Sequence, residues 1–221
     1  MRLIYITLPA GLLIAAGGVV LMVASSRATN AAGINSPSSG TNPVHPVTAE
    51  MAAEAAKEAK LTAPPLSLPD ATGKQWTFSS LSNGKPVYLY FILDGCPCST
   101  DAEPLFHELY KRYKDKITFA GVIGSDRAAA AKWAKDHEMP YTILADPKLT
   151  AVRAYNAKHS VYNVLITPDG HIDKMWPGYS QDMLREVNSH MAAVIGTPEK
   201  PFDPLYAPLK MSSGCFFPSG T

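Results

Sequence analysis

The chain has 221 residues, of which 46% are hydrophobic and 18% charged, and its formal net charge is +1. That is the composition of one globular domain with extensions. With no basic stripe to neutralise phosphates it excludes nucleic acid as a partner, and it gives no sign of an acidic one. The 19 prolines cluster before Val87 and after Gly196, so a compact middle is expected between extended ends.

Residues 3–24 carry no charge, a run of 22 positions. A spanning helix needs about 20 apolar residues, whereas the apolar core of a signal peptide has about 7–15. Length points to an uncleaved anchor, while the small residues Ala24, Ser25, Ser26 and Ala28 keep cleavage open. Residues 1–26 are thus predicted to be a transmembrane anchor or signal peptide. The rest is expected outside the cytoplasm, periplasmic or at the cell surface, with the membrane as a partner. Arg2 and Arg27 flank both ends, so loop charge does not set the orientation. Residues 27–60 are predicted as a flexible tether followed by a spacer helix over 48–60. The tether is rich in Ser, Asn, Gly and Pro; the helix has strong helix formers with Thr48 placed to cap.

The compact domain is predicted over 61–196. A short strand at 76–78 lies between the turn signals Thr72-Gly73 and Asn83-Gly84. Residues 87–93, VYLYFIL, form a continuous apolar run suited to a central strand covered on both faces. A helix follows over 100–114, with Leu105, Phe106, Leu109, Tyr110 and Tyr113 on one face. Then come a strand at 117–123, a helix at 126–137 and strands at 141–145, 161–166 and 172–176. An amphipathic helix at 180–195 ends at Gly196. This order means an α/β layered domain, a central mixed sheet flanked by helices. Residues 197–221 form a proline-rich tail.

The three cysteines are Cys96 and Cys98, in the loop Gly95-Cys96-Pro97-Cys98-Ser99, and Cys215 in the tail. Three thiols cannot all pair within one chain, so working cysteines are expected rather than structural staples. The helix after the loop lends its positive end to a thiolate, worth at most about 2 kcal/mol, or a pKa falling from about 8.5 to about 7. Asp94 and Asp101 oppose it, so modest nucleophiles are expected. A Cys96–Cys98 bond would be strained, because two residues nearly fully extend between the sulfurs' backbones. Cys215, on a proline-stiffened arm beside Phe216 and Phe217, is the alternative partner.

Certain residues together resemble a known family. They are Leu68-Pro69-Asp70 with Gly73-Lys74, Gly84-Lys85-Pro86-Val87, Phe91, Cys96, Asp146-Pro147, Ala154-Tyr155 and Pro168-Asp169-Gly170. Their order resembles the redoxins of the AhpC/TSA group, with a thioredoxin-like fold. Phe91 and Pro104 frame Cys96 as in the family's CxxC members; in that frame the second cysteine falls on Ser99 and Cys98 is extra. The peroxiredoxin threonine is absent, Gly95 standing in its place, and the family's cis-proline aligns with Val161. The resemblance implies an oxidoreductase acting on protein thiols or disulfides, or on a peroxide, with no required cofactor. Cys96, Cys98 and Cys215 are its expected catalytic residues. The stretch from His159 to Pro168-Asp169-Gly170 also resembles the Sco-type copper proteins. In that alternative reading Cys96, Cys98 and His159 would bind Cu(I), which suits two thiolates and an imidazole. Of the remaining histidines, His45 falls in the tether and His171 in a hairpin turn, while His107, His137 and His190 are expected to be solvated on helices.

Overall fold

The computed structural model describes residues 45–218. The predicted anchor and most of the tether lie outside them. Among the described residues no helix is long and apolar enough to cross a membrane.

Helix α1 (Ala49–Lys57) begins at Thr48, whose hydroxyl accepts from the Met51 N–H as the sequence suggested. It is docked, not a free spacer. Ala55 is buried, the Lys60 N–H bonds the Ile172 carbonyl at 2.7 Å, and Glu54 pairs with Lys158 at 2.8 Å. Met51 packs beside Ala55 against the core, while the other alanines of the helix are exposed. Strands β1 (Ser67–Pro69) and β2 (Gln75–Thr77) make a small antiparallel ribbon. The Asp70 carboxylate holds their turn, accepting from the Thr72 and Lys74 amides and from Trp76 Nε1. The strand suggested at 76–78 is β2, one residue earlier at its end, and the single-turn helix α2 (Phe78–Ser82) follows at once because Thr77 and Ser80 form a reciprocal capping box.

Next come β3 (Val87–Ile92), α3 (Pro97–Tyr113), β4 (Thr118–Ile123), α4 (Arg127–Asp136) and β5 (Thr142–Ala145). They are followed by α5 (Thr150–Ala154), β6 (Asn163–Ile166), β7 (Ile172–Trp176) and α6 (Gln181–Val194). The main sheet runs β5-β4-β3-β6-β7, with β3, β4 and β5 parallel and β6 and β7 antiparallel to their neighbours. Every residue of β3 is buried. Tyr88, Tyr90 and Ile92 face one core with residues of α3, α4 and α6, while Val87, Leu89 and Phe91 face the other with α1 and α5. That is the period-2 alternation of a doubly covered strand, and its carboxyl end delivers the Cys96 loop. Helix α5, unsuspected from periodicity because it spans 5 residues, is built by Asp146. This carboxylate accepts from the amides of Thr150, Ala151 and Val152 at 2.7–3.0 Å, filling the helix's open donors.

The described part of the tail, up to residue 218, is strapped to the domain. Its carbonyls at Lys200, Pro201 and Pro208 accept from Asn188 Nδ2, Arg112 Nε and the Gln181 N–H. Ser212 exchanges two backbone bonds with Tyr179, at 2.8 and 2.9 Å, and bridges Pro46 on its other side. Gly214 donates to the Ser160 carbonyl at 2.9 Å, and the Ser160 N–H returns a bond to the Cys215 carbonyl at 2.9 Å. Phe217 is buried, whereas Phe216 is 56% exposed, so one of the two aromatics seats the strap. Two glycines make room for it. A Cβ on Gly178 would stand 2.2 Å from the Ser212 carbonyl oxygen, and one on Gly214 would stand 1.8 Å from Ser160 Oγ.

Gly178→Ala is therefore expected to lift the strap rather than unfold the sheet. Stability in urea should fall by about 1–3 kcal/mol, the usual cost of overpacking. Limited proteolysis should then cut in residues 205–215, with the domain remaining resistant; an unaltered digestion pattern would count against this packing.

Candidate active site

Cys96 is the N-cap of α3, in extended conformation (φ −84°, ψ 118°), and Pro97 is the first helical residue. A proline's fixed φ and missing N–H suit that position, so the helix starts before residue 100 and takes Cys98 into its first turn. Cys96 is 2% exposed and Cys98 9%. Ser99, which occupies the family's second-cysteine position, is buried and its hydroxyl accepts from the Leu93 N–H at 3.3 Å. The loop is thus shaped by a hydroxyl where a disulfide partner would stand.

All three cysteines are free thiols, and the structure brings them together. The Cys215 backbone N–H donates to Cys96 Sγ at 3.2 Å, and the Ser160 hydroxyl donates to it at 3.4 Å. The Cys98 thiol is a further donor and the largest cause of a pKa held well below the ordinary thiol range at Cys96. Burial opposes this, and the hydrogen bonds from Cys215 and Ser160 add to it. Cys98 moves the other way: its hydrogen bond to Cys96 pushes its pKa up, helped by burial and by the charge on Cys96. Burial, then the hydrogen bond and charge of Cys96, push the Cys215 thiol up too. The hydrogen bonds thus favour the charged form of Cys96 and the protonated forms of Cys98 and Cys215. The sequence suggested a modest nucleophile because the helix end was the only source of stabilisation in view. Ser160 and the Cys215 amide escaped it, as neither a serine ahead of a strand nor a backbone N–H leaves a sequence signal. Asp101 also faces the site: burial first and the Cys96 charge second raise its carboxyl pKa.

The copper reading is corrected. Among the described residues no group of three His, Cys, Asp or Glu side chains converges to hold a metal, so Cys96, Cys98 and His159 do not form a ligand set. The tail claims His159. Its Nδ1 lies 3.2 Å from the Gly214 carbonyl, and its ring stacks on Tyr162 and meets Phe216 edge-on at 5.0 Å. Burial lowers its pKa. His45, expected in a flexible tether, is instead held against the tail by backbone bonds. Its Nε2 lies 3.8 Å from Cys215 Sγ. His107 and His190 sit beside carboxylates, 2.9 Å from Glu103 and 2.6 Å from Asp173 respectively.

Val161, aligned with the family's proline, has φ +64° and is buried. A β-branched residue in the left-handed region is strained, at a cost on the order of 1–3 kcal/mol. Backbone bonds to β3 hold it there: its N–H reaches the Phe91 carbonyl at 2.7 Å, and the Phe91 N–H reaches the Tyr162 carbonyl at 2.8 Å. The strained turn presents Ser160 to Cys96.

A sheet of this order with reactive thiols at the end of its central strand defines a thioredoxin-like redoxin. The AhpC/TSA family pattern matches residues 59–175, just over half of the chain, and the chain belongs to that family. It is 36% identical over 93 residues to a chloroplastic peroxiredoxin Q of Triticum aestivum, covering 41% of this chain and 42% of that protein. The chain spans under half the length of the curated relatives it matches. Among solved structures it is similar to the peroxidoxin BcpB of Mycobacterium tuberculosis (20% identity, TM-score 0.55, 64% of this chain and 98% of that one). A Chlorobium tepidum protein assigned as the thiol:disulfide interchange protein DsbE is also similar (23%, TM-score 0.57, 62% and 98%). At these identities the two structures support the fold.

Because the donors favour the charged form of Cys96, its ionisation should fall below the ordinary thiol range of about 8.5. Thiolate ultraviolet absorbance followed against pH should show one thiol ionised in mildly acidic solution and two ionising only in alkali. Cys98→Ala should move the first step upward, and Ser160→Ala should move it less. A wild-type first step at the ordinary thiol position would show that these donors do not hold a thiolate.

Proposed function

We propose that the chain is a thiol-based peroxide reductase in which Cys96 is the nucleophile, Cys215 the resolving thiol and Cys98 the donor that keeps Cys96 ionised. The observation that carries this reading is the position of Cys215, whose amide lies 3.2 Å from Cys96 Sγ. The Cys96 thiolate attacks the distal peroxide oxygen; the O–O bond breaks, the alcohol or water leaves after taking a proton, and Cys96 becomes a sulfenic acid. The Cys215 sulfur then attacks Cys96, expelling water and leaving a disulfide that an external dithiol must reduce. Burial of Cys96 to 2% exposure favours a small oxidant over a bulky one. No bound cofactor takes part in these steps. The compartment proposed is extracytoplasmic with a membrane tether, on the strength of the apolar run at residues 3–24, and such a compartment favours disulfide cycling.

A second reading, exchange with protein disulfides at the same Cys96, is favoured by the pairing of Gly214–Cys215 with Ser160. That pairing seats an extended, cysteine-bearing strand beside the nucleophile.

Reduced full-length chain should consume hydrogen peroxide and form a Cys96–Cys215 disulfide, identified by non-reducing peptide mapping. Cys96→Ser should abolish consumption. Cys215→Ser should complete one oxidation and stop, leaving a sulfenic acid that a dimedone probe labels. Peroxide and disulfide reductase activities both surviving in Cys96→Ser would end the assignment.

A further inference from the structure

We propose that His45 is the general base of the resolving step, its Nε2, 3.8 Å from Cys215 Sγ, taking the thiol proton as that sulfur attacks oxidised Cys96. This rests on the reading of Cys215 as the resolving thiol and adds a residue from the far end of the chain to it.

Resolution needs a base because Cys215 is a protonated thiol. Burial and the anionic Cys96 hold its proton on. Once Cys96 has become a sulfenic acid that charge is gone, but a buried thiol still ionises poorly alone. Imidazoles exchange protons near neutral pH, where a matched base is most effective.

His45 is held opposite the tail by backbone, not by its ring. Its carbonyl accepts from the Ser213 N–H at 2.8 Å, the Val47 N–H bonds the Met211 carbonyl at 3.1 Å, and Pro46 bridges Ser212. The ring stands by the Cys215 sulfur, two residues past Ser213. The other titratable groups around the pair are poorer bases for this proton. His159, ahead of β6, has Nδ1 engaged with Gly214 and is discouraged from protonation by burial. On α3, Cys96 is the electrophile in this step and Cys98 holds its proton. Asp101, also on α3, bears on Cys96 and Cys98.

The step balances as follows. The Cys215 S–H bond breaks and its proton moves to His45 Nε2; the Cys215 sulfur forms the S–S bond as the Cys96 S–O bond breaks. The departing hydroxide takes the proton back from the imidazolium and leaves as water. Peroxide was the oxidant in the preceding step, and no other reagent is required.

The test follows the two steps separately on the purified full chain, using hydrogen peroxide, rapid quenching and peptide mapping at several pH values. His45→Ala and His45→Gln keep the backbone bonds, and an unchanged thermal melt verifies that each variant folds. In both, oxidation of Cys96 should run at the wild-type rate. Disulfide formation near neutral pH should slow on the order of 100-fold, the usual scale for losing a general base. Sulfenic acid should accumulate meanwhile, the rate should climb with pH toward wild type in alkali, and added imidazole should restore part of it. Wild-type disulfide rates across the pH range in both variants would overturn the inference. So would a wild-type chain that oxidises at Cys96 but resolves without Cys215, and this leaves the nucleophile assignment standing. A Cys96 that never oxidises overturns the proposed function and the inference together.

Discussion

A thiolate at a residue 2% exposed has almost no water to solvate it, so its charged form is favoured only where the protein supplies the donors. Cys96 draws them from three separate places: the Cys98 thiol in the same helical turn, the Ser160 hydroxyl ahead of β6, and the Cys215 amide in the tail. Each donor fixes something larger. Cys98 requires α3 to begin at Pro97, Ser160 requires the strained turn at Val161, and the Cys215 amide requires the whole strap. The fold around the site can be read as the set of conditions that bring these donors to one atom.

Those conditions are met at the expense of local comfort. Val161 holds a backbone angle that its branched side chain disfavours, and its neighbour Ser160 pairs with Gly214–Cys215 on the strap. Two backbones meet there so closely that Gly214 has no space for a methyl group. The strap's own bonds to Tyr179, His45 and Lys158 are each worth only about 1 kcal/mol net, but together they hold it in register. Strain, close approach and a long tether of weak bonds coincide within a few residues of Cys96, as expected where function overrides local preference.

The sheet and its helices were legible because their signals are local and repeated. The all-apolar run at β3 and the spaced apolar residues of α3 and α6 have few alternative explanations. Helix α5 was hidden because it owes its existence to Asp146, a residue outside it. Of the site, the thiols were legible as chemistry, and the proline-stiffened tail suggested that Cys215 returns to the loop. The solvation of Cys96 was not legible, since an amide and a hydroxyl are present in any sequence. Neither was His45, whose meeting with Cys215 spans 170 positions and depends on a ribbon between two segments of unremarkable composition. The copper reading failed for a related reason: spacing put His159 near the strand entrance, but the tail's Gly214 and Phe216 had prior claim on it.

The amide that helps to solvate Cys96 lies 119 residues further along the chain. During synthesis the sheet and α3 can assemble well before Cys215 leaves the ribosome, at a pace of about 5–20 residues per second. For those seconds the nascent chain has an uncovered Cys96 that lacks one of its donors, so its charged form is less favoured and its sulfur more accessible to stray thiol partners. Reactivity is thereby tied to completion, and a truncated product would carry the cysteine without its full chemistry.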